Sequence, residues 1–286
     1  MIVIVLSGAA VRLTGSGLGC PDWPTCFHNR ISGSWSIHPF IEYANRLITV
    51  TLVLVTAATF LAALVRQPRR RDLVQLAGLL VLGVVGDALL GAFVVYSRLN
   101  PWLVSIHLLL SLSMVVVGAV LYHRSKYVYG PGSRADVRDP HFRLIARLLW
   151  IPFVVVLSAG TITTGSGPHA GSSQGQLTAR RLPFSLLDAT WVHSIAAVLF
   201  LGMVTGLVFA IWRADVPPPL KLGVRRLVLI SLVQAGIGLT QFLTHLPALL
   251  VELHVAGAIS LTIGVTQFHL RQTAHDREPG TKRPVA

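Results

Sequence analysis

Hydrophobic positions run through this chain in long unbroken blocks separated by short polar stretches. Residues 41–65, 73–96, 102–122, 144–163, 188–212, 222–243 and 248–270 are apolar blocks, each about 20 residues or more, enough for a helix to cross a hydrocarbon core about 30 Å thick. Backbone groups there have no water to bond, so each block satisfies its own and is expected to be a helix. An eighth block, residues 1–13, is apolar but too short to span. With no basic stretch ahead of it and no small-residue cleavage site behind it, it does not read as a signal peptide. It is expected to be a first helix whose beginning is missing, or which is short and buried. The pattern predicts an all-α integral membrane protein with eight transmembrane helices.

The blocks repeat. A shift of 147 lays residues 75–107 on 222–254 without a gap, and nine of the 33 positions are identical. Leucines and valines match by chance in apolar helices, so the pairs Gly91/Gly238 and His107/His254 carry more weight. A shift of 150 also lays Thr14-Gly15-Ser16-Gly17 on Thr164-Gly165-Ser166-Gly167. Four helices per unit start both units on the same side, so the expected architecture is two four-helix bundles related by a pseudo-twofold axis along the membrane normal. The expected division is residues 1–125 and 144–272 for the two halves, 126–143 for a linker and 273–286 for a tail.

Composition agrees: 12% of residues are charged, against about 25% in soluble domains. The net charge of +13 invites a nucleic-acid reading, but its distribution opposes it. Eighteen of the 24 basic residues lie on one side, in the stretches after blocks 41–65, 102–122, 188–212 and 248–270, while the opposite loops hold Arg30, Arg98, Arg180 and Arg181. By the positive-inside rule both termini are cytoplasmic. The charge reports topology, with anionic lipid its partner rather than nucleic acid. Arginine outnumbers lysine 21 to 3, the bias of a GC-rich bacterial genome, which makes the expected location the cell membrane.

Three histidines share one depth. His107 lies six residues past Pro101, His193 five past Asp188 (an expected N-cap), and His254 seven past Pro247, so each sits roughly 8–10 Å below the outer helix end at about 1.5 Å per residue. The first-half position matching His193 is Asn45. One buried histidine is most often interhelical hydrogen bonding. Three at one depth in repeat-related helices point to function, and two imidazoles facing across a bundle suit axial ligation of heme iron. Zinc would need converging carboxylate or thiolate help, which no local cluster supplies. The second half thus offers His193 with His254. The first offers His107, Asn45 and, one turn before Asn45, Glu42, a site for a heme that is worked on rather than kept.

The outer segment 11–26 contains the only two cysteines, Cys20 and Cys26, in a glycine- and proline-rich loop facing an oxidising compartment. A structural disulfide and an electron-exchanging thiol pair are both open. This loop, T-G-S-G-L-G-C-P-D-W-P-x-C at 14–26, together with E-x-x-x-R at Glu42–Arg46, the three histidines and the segment 163–171, resembles the heme A synthase family over residues 1–270. The resemblance implies eight helices in two halves, heme B held by His193 and His254, and heme O bound as substrate by His107. It implies Glu42 as the essential carboxylate and Cys20–Cys26 as the redox-active or disulfide pair. Much of that family has histidine where Asn45 stands, so here the substrate site has one strong ligand.

The implied reaction oxidises the heme C8 methyl to a formyl group by successive hydroxylations, chemistry that belongs to the heme, while the protein positions it. Glu42 is assigned to positioning or proton transfer, and Arg46 to pairing with Glu42 or a propionate, the plain alternative being a helix-stabilising salt bridge. Asp87 and Gln234, at matched positions, are candidates for bonding a ligand or a propionate, or for interhelical glue. Arg98 and Arg180 are outer candidates for propionate. His28, His38, His123, His141, His169, His245, His269 and His275 are expected to be solvated. The pathway implies heme O synthase and cytochrome c oxidase assembly as partners, and a homo-oligomer is open. Two rival classes are a di-heme electron-transfer subunit, which predicts two bis-histidine sites, and a heme carrier, in which Glu42 has no chemical task.

Overall fold

A computed structural model describes residues 1–20, 22–26, 36–126, 139–172 and 179–272. The expected linker and tail therefore fall largely outside the described residues, as do His28, Arg30 and His275. Among the described residues there are nine α-helices: α1 Ile2–Leu13, α2 Ile37–Val65, α3 Arg71–Tyr96, α4 Pro101–Lys126, α5 Pro140–Leu148, α6 Trp150–Ser166, α7 Leu186–Arg213, α8 Pro218–Leu243 and α9 Ala248–Arg271. Seven segments are long and apolar enough to cross a membrane: α2, α3, α4, α5 with α6 as Pro140–Ser166, α7, α8 and α9. The chain is thus a multi-pass membrane protein. Large apolar side chains such as Val65, Leu82 and Trp212 stand exposed on the outside of the bundle, as lipid-facing positions must.

The fifth apolar block is interrupted where one helix was expected, with Leu149 between α5 and α6. Pro152 explains the break, because it has no N–H for the carbonyl of Leu148 and its ring crowds that carbonyl. Asp139 caps α5 by accepting from the Phe142 N–H at 2.7 Å. A second correction concerns α7: its N-cap is Ser185, whose hydroxyl accepts from the Asp188 N–H at 3.0 Å. The Asp188 carboxylate in turn accepts from the Ser185 hydroxyl at 2.6 Å.

Consecutive helices pack as neighbours, α1 on α2, α2 on α3 and α3 on α4, then α6 on α7, α7 on α8 and α8 on α9. Further contacts join α4 to α9, α4 to α6 and α1 to α9, so α1, α4, α6 and α9 form the seam. At its centre Val5, Leu112, Val115 and Ile259 make a small buried cluster. A larger core lies within α5–α9 around Phe142, Phe153, Phe200, Leu207, Leu227 and Phe268.

The turns repeat more faithfully than the sequence does. Arg98 and Leu99 between α3 and α4 have φ of 54° and 60°, and His245 and Leu246 between α8 and α9 have 61° and 62°. The Leu99 N–H bonds the Val94 carbonyl at 2.8 Å and the Leu246 N–H the Gln241 carbonyl at 2.7 Å. These are the same positions at a shift of 147. The first Thr-Gly-Ser-Gly segment meets the stretch four to five residues past the second, through an isolated bridge between Ser16 and Ser172 and a bond from the Gly17 N–H to the Gly171 carbonyl at 2.9 Å. Gly17 is required there, since a Cβ would stand 3.1 Å from both the Gly171 oxygen and the Leu99 side chain.

Candidate functional site

Helices α7 and α9 bring His193 and His254 together, with ring centres 6.2 Å apart and planes at 75°. Two imidazoles on one metal, each with a metal–nitrogen bond of about 2 Å, have ring centres roughly 6 Å apart, so this spacing suits iron ligation from both faces of a heme. His193 Nδ1 lies 3.1 Å from the Val156 carbonyl. A carbonyl only accepts, so Nδ1 carries the proton and Nε2 keeps its lone pair for a metal. Among the described residues His254 Nδ1 is buried without a hydrogen-bond partner, while its backbone carbonyl accepts from Gln234 Nε2 at 2.9 Å.

Glycines make room for these rings. A Cβ on Gly160 of α6 would stand 3.1 Å from His193 Cε1, and one on Gly238 of α8 would stand 3.1 Å from His254 Cε1. Gly91 of α3 occupies the same place beside His107, where a Cβ would stand 3.5 Å from the ring, and a Cβ on Gly8 of α1 would stand 3.8 Å from the Asn45 amide. Each of the four polar residues that the sequence placed at one depth thus packs against a glycine on the preceding membrane helix. The flattened helix surface lets an imidazole lie close to the backbone, and the residues present fit a heme in the second half.

The first half is built differently. His107 Nδ1 stands 2.7 Å from Asp87 Oδ1, and the other oxygen of Asp87 accepts from the Ser111 hydroxyl. Asn45 turns its amide to α1, donating to Ser7 Oγ at 2.9 Å. Glu42 is buried and accepts twice, from the Cys20 N–H at 2.7 Å and from Arg46 Nη2 at 2.6 Å. Arg46 also donates to the carbonyls of Asp22 at 2.6 Å, Thr25 at 2.7 Å and Cys20 at 3.0 Å. The contact of Arg46 with Glu42 is an i,i+4 ion pair on α2. The guanidinium is the hub on which the outer loop folds. Cys20 and Cys26 are joined as a disulfide and both are fully buried, and Tyr96 at the end of α3 donates to the Trp23 carbonyl at 2.9 Å.

Several outer and end residues differ from expectation. His38 belongs to the first turn of α2, and its Nδ1 is 3.0 Å from Ser16 Oγ. His169 Nε2 bonds the Leu246 carbonyl at 2.9 Å, His123 is buried, and His269 packs edge-on against Trp150. Each was expected in solvent. His141 and His245 are exposed, as are Arg98 and Arg180. Arg12 was not singled out from the sequence, yet it joins the halves by donating to the carbonyls of His169 at 2.7 Å and Thr164 at 2.6 Å. Its lone position inside an apolar block was the available signal.

Fold and site together define a helical membrane protein with two unlike histidine sites, one a ring pair and one a single imidazole backed by a carboxylate. Comparison with known proteins narrows the class. The model of the COX15-CtaA family, described as cytochrome oxidase assembly protein, matches residues 1–36 and 32–265, and the chain belongs to that family. Among similar curated proteins, the heme A synthase of Geobacillus kaustophilus is 31% identical over 106 residues, 37% of this chain and 33% of that one. The heme A synthase of Shewanella oneidensis is 25% identical over 214 residues, 68% and 60% of the two chains. These alignments thus span between a third and three-fifths of those relatives. One from Bacillus cereus (strain G9842), also a heme A synthase, is 23% identical over 264 residues, 89% and 84% of the two. The family read from the loop, the E-x-x-x-R signature and the histidines is borne out.

Proposed function

We propose that the protein is a heme A synthase of the cell membrane, oxidising the C8 methyl of heme O to a formyl group to give heme A. The observation that carries the proposal is the unlikeness of the two histidine sites. A ring pair 6.2 Å apart suits a resident heme B, and a single imidazole suits a heme that is bound, changed and released. When bound, heme supplies the oxidative chemistry; the chain's residues hold, orient and enclose it.

His193 and His254 hold heme B. The Val156 carbonyl keeps His193 in the tautomer that presents Nε2. His107 holds the substrate heme, with Asn45 beside it as a weak donor engaged by Ser7. Glu42 accepts two hydrogen bonds, one from a cation, which favour the ionised carboxylate and hold it in place beside the disulfide loop, as a positioning role requires. Arg46 holds Glu42 and the loop in register. The disulfide Cys20–Cys26 lies one backbone bond from Glu42, so a redox role for it would be felt at that carboxylate.

We read α1, apolar but only 12 residues long, as part of an eighth membrane helix beside the seven long segments, and the matched turns at 98–99 and 245–246 support two pseudo-twofold-related halves. Both termini are cytoplasmic by the distribution of basic residues. Heme O synthase and cytochrome c oxidase assembly are the partners that the reaction implies.

The decisive experiment expresses the full chain in cells supplied with heme O and extracts the pigments. Hydroxylated heme or heme A is expected. Recovery of unmodified heme alone would overturn the enzyme reading and leave an electron-transfer subunit or a carrier. Glu42→Ala is expected to abolish product with the heme B spectrum retained, whereas His193→Ala or His254→Ala loses that spectrum.

A further inference from the structure

What stands behind the histidine differs between the halves. On α3, Asp87 Oδ1 is 2.7 Å from His107 Nδ1 of α4, and Ser111, one turn further along α4, donates to the other carboxylate oxygen. At the matched place on α8 stands Gln234, a neutral residue whose amide goes to the backbone carbonyl of His254 rather than to its ring. His193 has the neutral carbonyl of Val156. Of the three imidazoles placed to bind iron, His107 is the one with an anion at Nδ1 among the described residues.

We propose that Asp87 is a positioning residue for the heme of the first half, holding His107 with its proton on Nδ1 and lending the ring anionic character that the second-half ligands lack. The proposal rests on the reading of His107 as a heme ligand. A carboxylate only accepts, so its approach to Nδ1 leaves the lone pair on Nε2. Charge drawn along an N–H···carboxylate contact makes the opposite nitrogen a stronger donor to a metal, and a stronger axial donor favours ferric over ferrous iron. Among the described residues neither Asp87 Oδ1 nor His107 Nδ1 has a hydrogen-bond partner, so their 2.7 Å contact is an ion-pair approach that falls short of hydrogen-bond alignment. We take the imidazole to turn about its Cβ–Cγ bond so that the pair aligns, beside the bare backbone of Gly91. Ser111 tempers the carboxylate by holding part of its charge. Joining α3 to α4 would by itself need no charge, as Gln234 demonstrates in the other half.

The test uses the full-length protein in detergent, loaded with hemin. A single-histidine heme is high-spin and, when ferrous, shows an iron–histidine stretch by resonance Raman, while a bis-histidine heme is low-spin and does not. Asp87→Asn is expected to lower that stretch and to cut the ferric-over-ferrous preference of the high-spin heme about tenfold, a rise of about 59 mV for one electron. Ser111→Ala, which frees the carboxylate to act on the ring, is expected to move both readouts the opposite way. Asp87→Glu is expected to return them toward wild type, with the low-spin heme unchanged throughout. Unchanged stretch and potential in both Asp87→Asn and Ser111→Ala, or shifts of the same sign in both, would overturn the proposal. Ser111→Ala retains the buried carboxylate, so it decides the matter where Asp87→Asn loses its heme. A wild-type chain with no high-spin component overturns the heme reading of His107 itself, a separate result.

Discussion

A methyl group is the finest probe of the histidine sites. Gly160→Ala and Gly238→Ala each put a Cβ 3.1 Å from an imidazole carbon, and overpacking of this kind costs about 1–3 kcal/mol. Both are expected to lower the low-spin heme content several-fold, read by the reduced-minus-oxidised spectrum of purified protein. Gly91→Ala meets His107 at an ordinary 3.5 Å and is expected to change it least. Equal loss at all three positions would show that the glycines serve helix packing alone. Gly257 is tighter still, because its would-be Cβ falls on the Gln234 side chain; the backbone there has to be bare for Gln234 to reach the His254 carbonyl.

Between elements, the loop and α2 behave as one unit through Arg46. Its guanidinium serves loop carbonyls on two sides while paired with Glu42, a fork that a lysine ammonium does not reproduce. Arg46→Lys is therefore expected to expose the Cys20–Cys26 disulfide and speed its reduction by added dithiothreitol at least several-fold, followed by thiol alkylation. The helix-joining turns make a contrasting case. Arg98 is exposed with φ of 54°, a conformation costing an ordinary residue about 1 kcal/mol that glycine adopts freely. Arg98→Gly is expected to hold or raise the unfolding midpoint in detergent. Leu99→Gly, at a buried position packed against Gly17 and Gly171, is expected to lower it, because the lost packing outweighs the relieved strain.

Across the whole molecule, helices α1–α4 meet α5–α9 along α1, α4, α6 and α9, and Arg12 staples α1 to the end of α6 and the stretch after it. Two short bonds from one guanidinium to main-chain carbonyls are charge-assisted, and hydrogen bonds of that kind contribute about 1.5–3 kcal/mol. Arg12→Ala is expected to lower stability by about 2 kcal/mol, measured as a drop in the thermal midpoint, with both histidine sites intact in the folded protein. The orientation is separately testable. Cysteines introduced one at a time at Arg69 and Arg226 are expected to resist a membrane-impermeant maleimide in intact cells, and one at Arg98 to react. The reverse pattern would invert the topology read from the basic residues.

The long apolar blocks, the side bearing the basic residues, the fourfold repeat of a polar residue at one depth and the loop signature were all legible in the chain. Each is a property of composition or spacing that lipid and helix geometry convert directly into structure. The block pattern missed the break at Leu149, since Pro152 acts on a carbonyl one turn back and leaves the apolar run unbroken. It also overstated the solvation of His38 and His169, whose partners, Ser16 and Leu246, lie 22 and 77 residues away. Side-chain reach across helices depends on which faces meet, and only packing sets that. For the same reason the sequence marked Asp87, Glu42 and the histidines as candidates but left their partners open. Tertiary structure decided that Asp87 stands behind His107, that Glu42 and Arg46 carry the disulfide loop, and that His193 and His254 face each other at the spacing of two ligands on one metal.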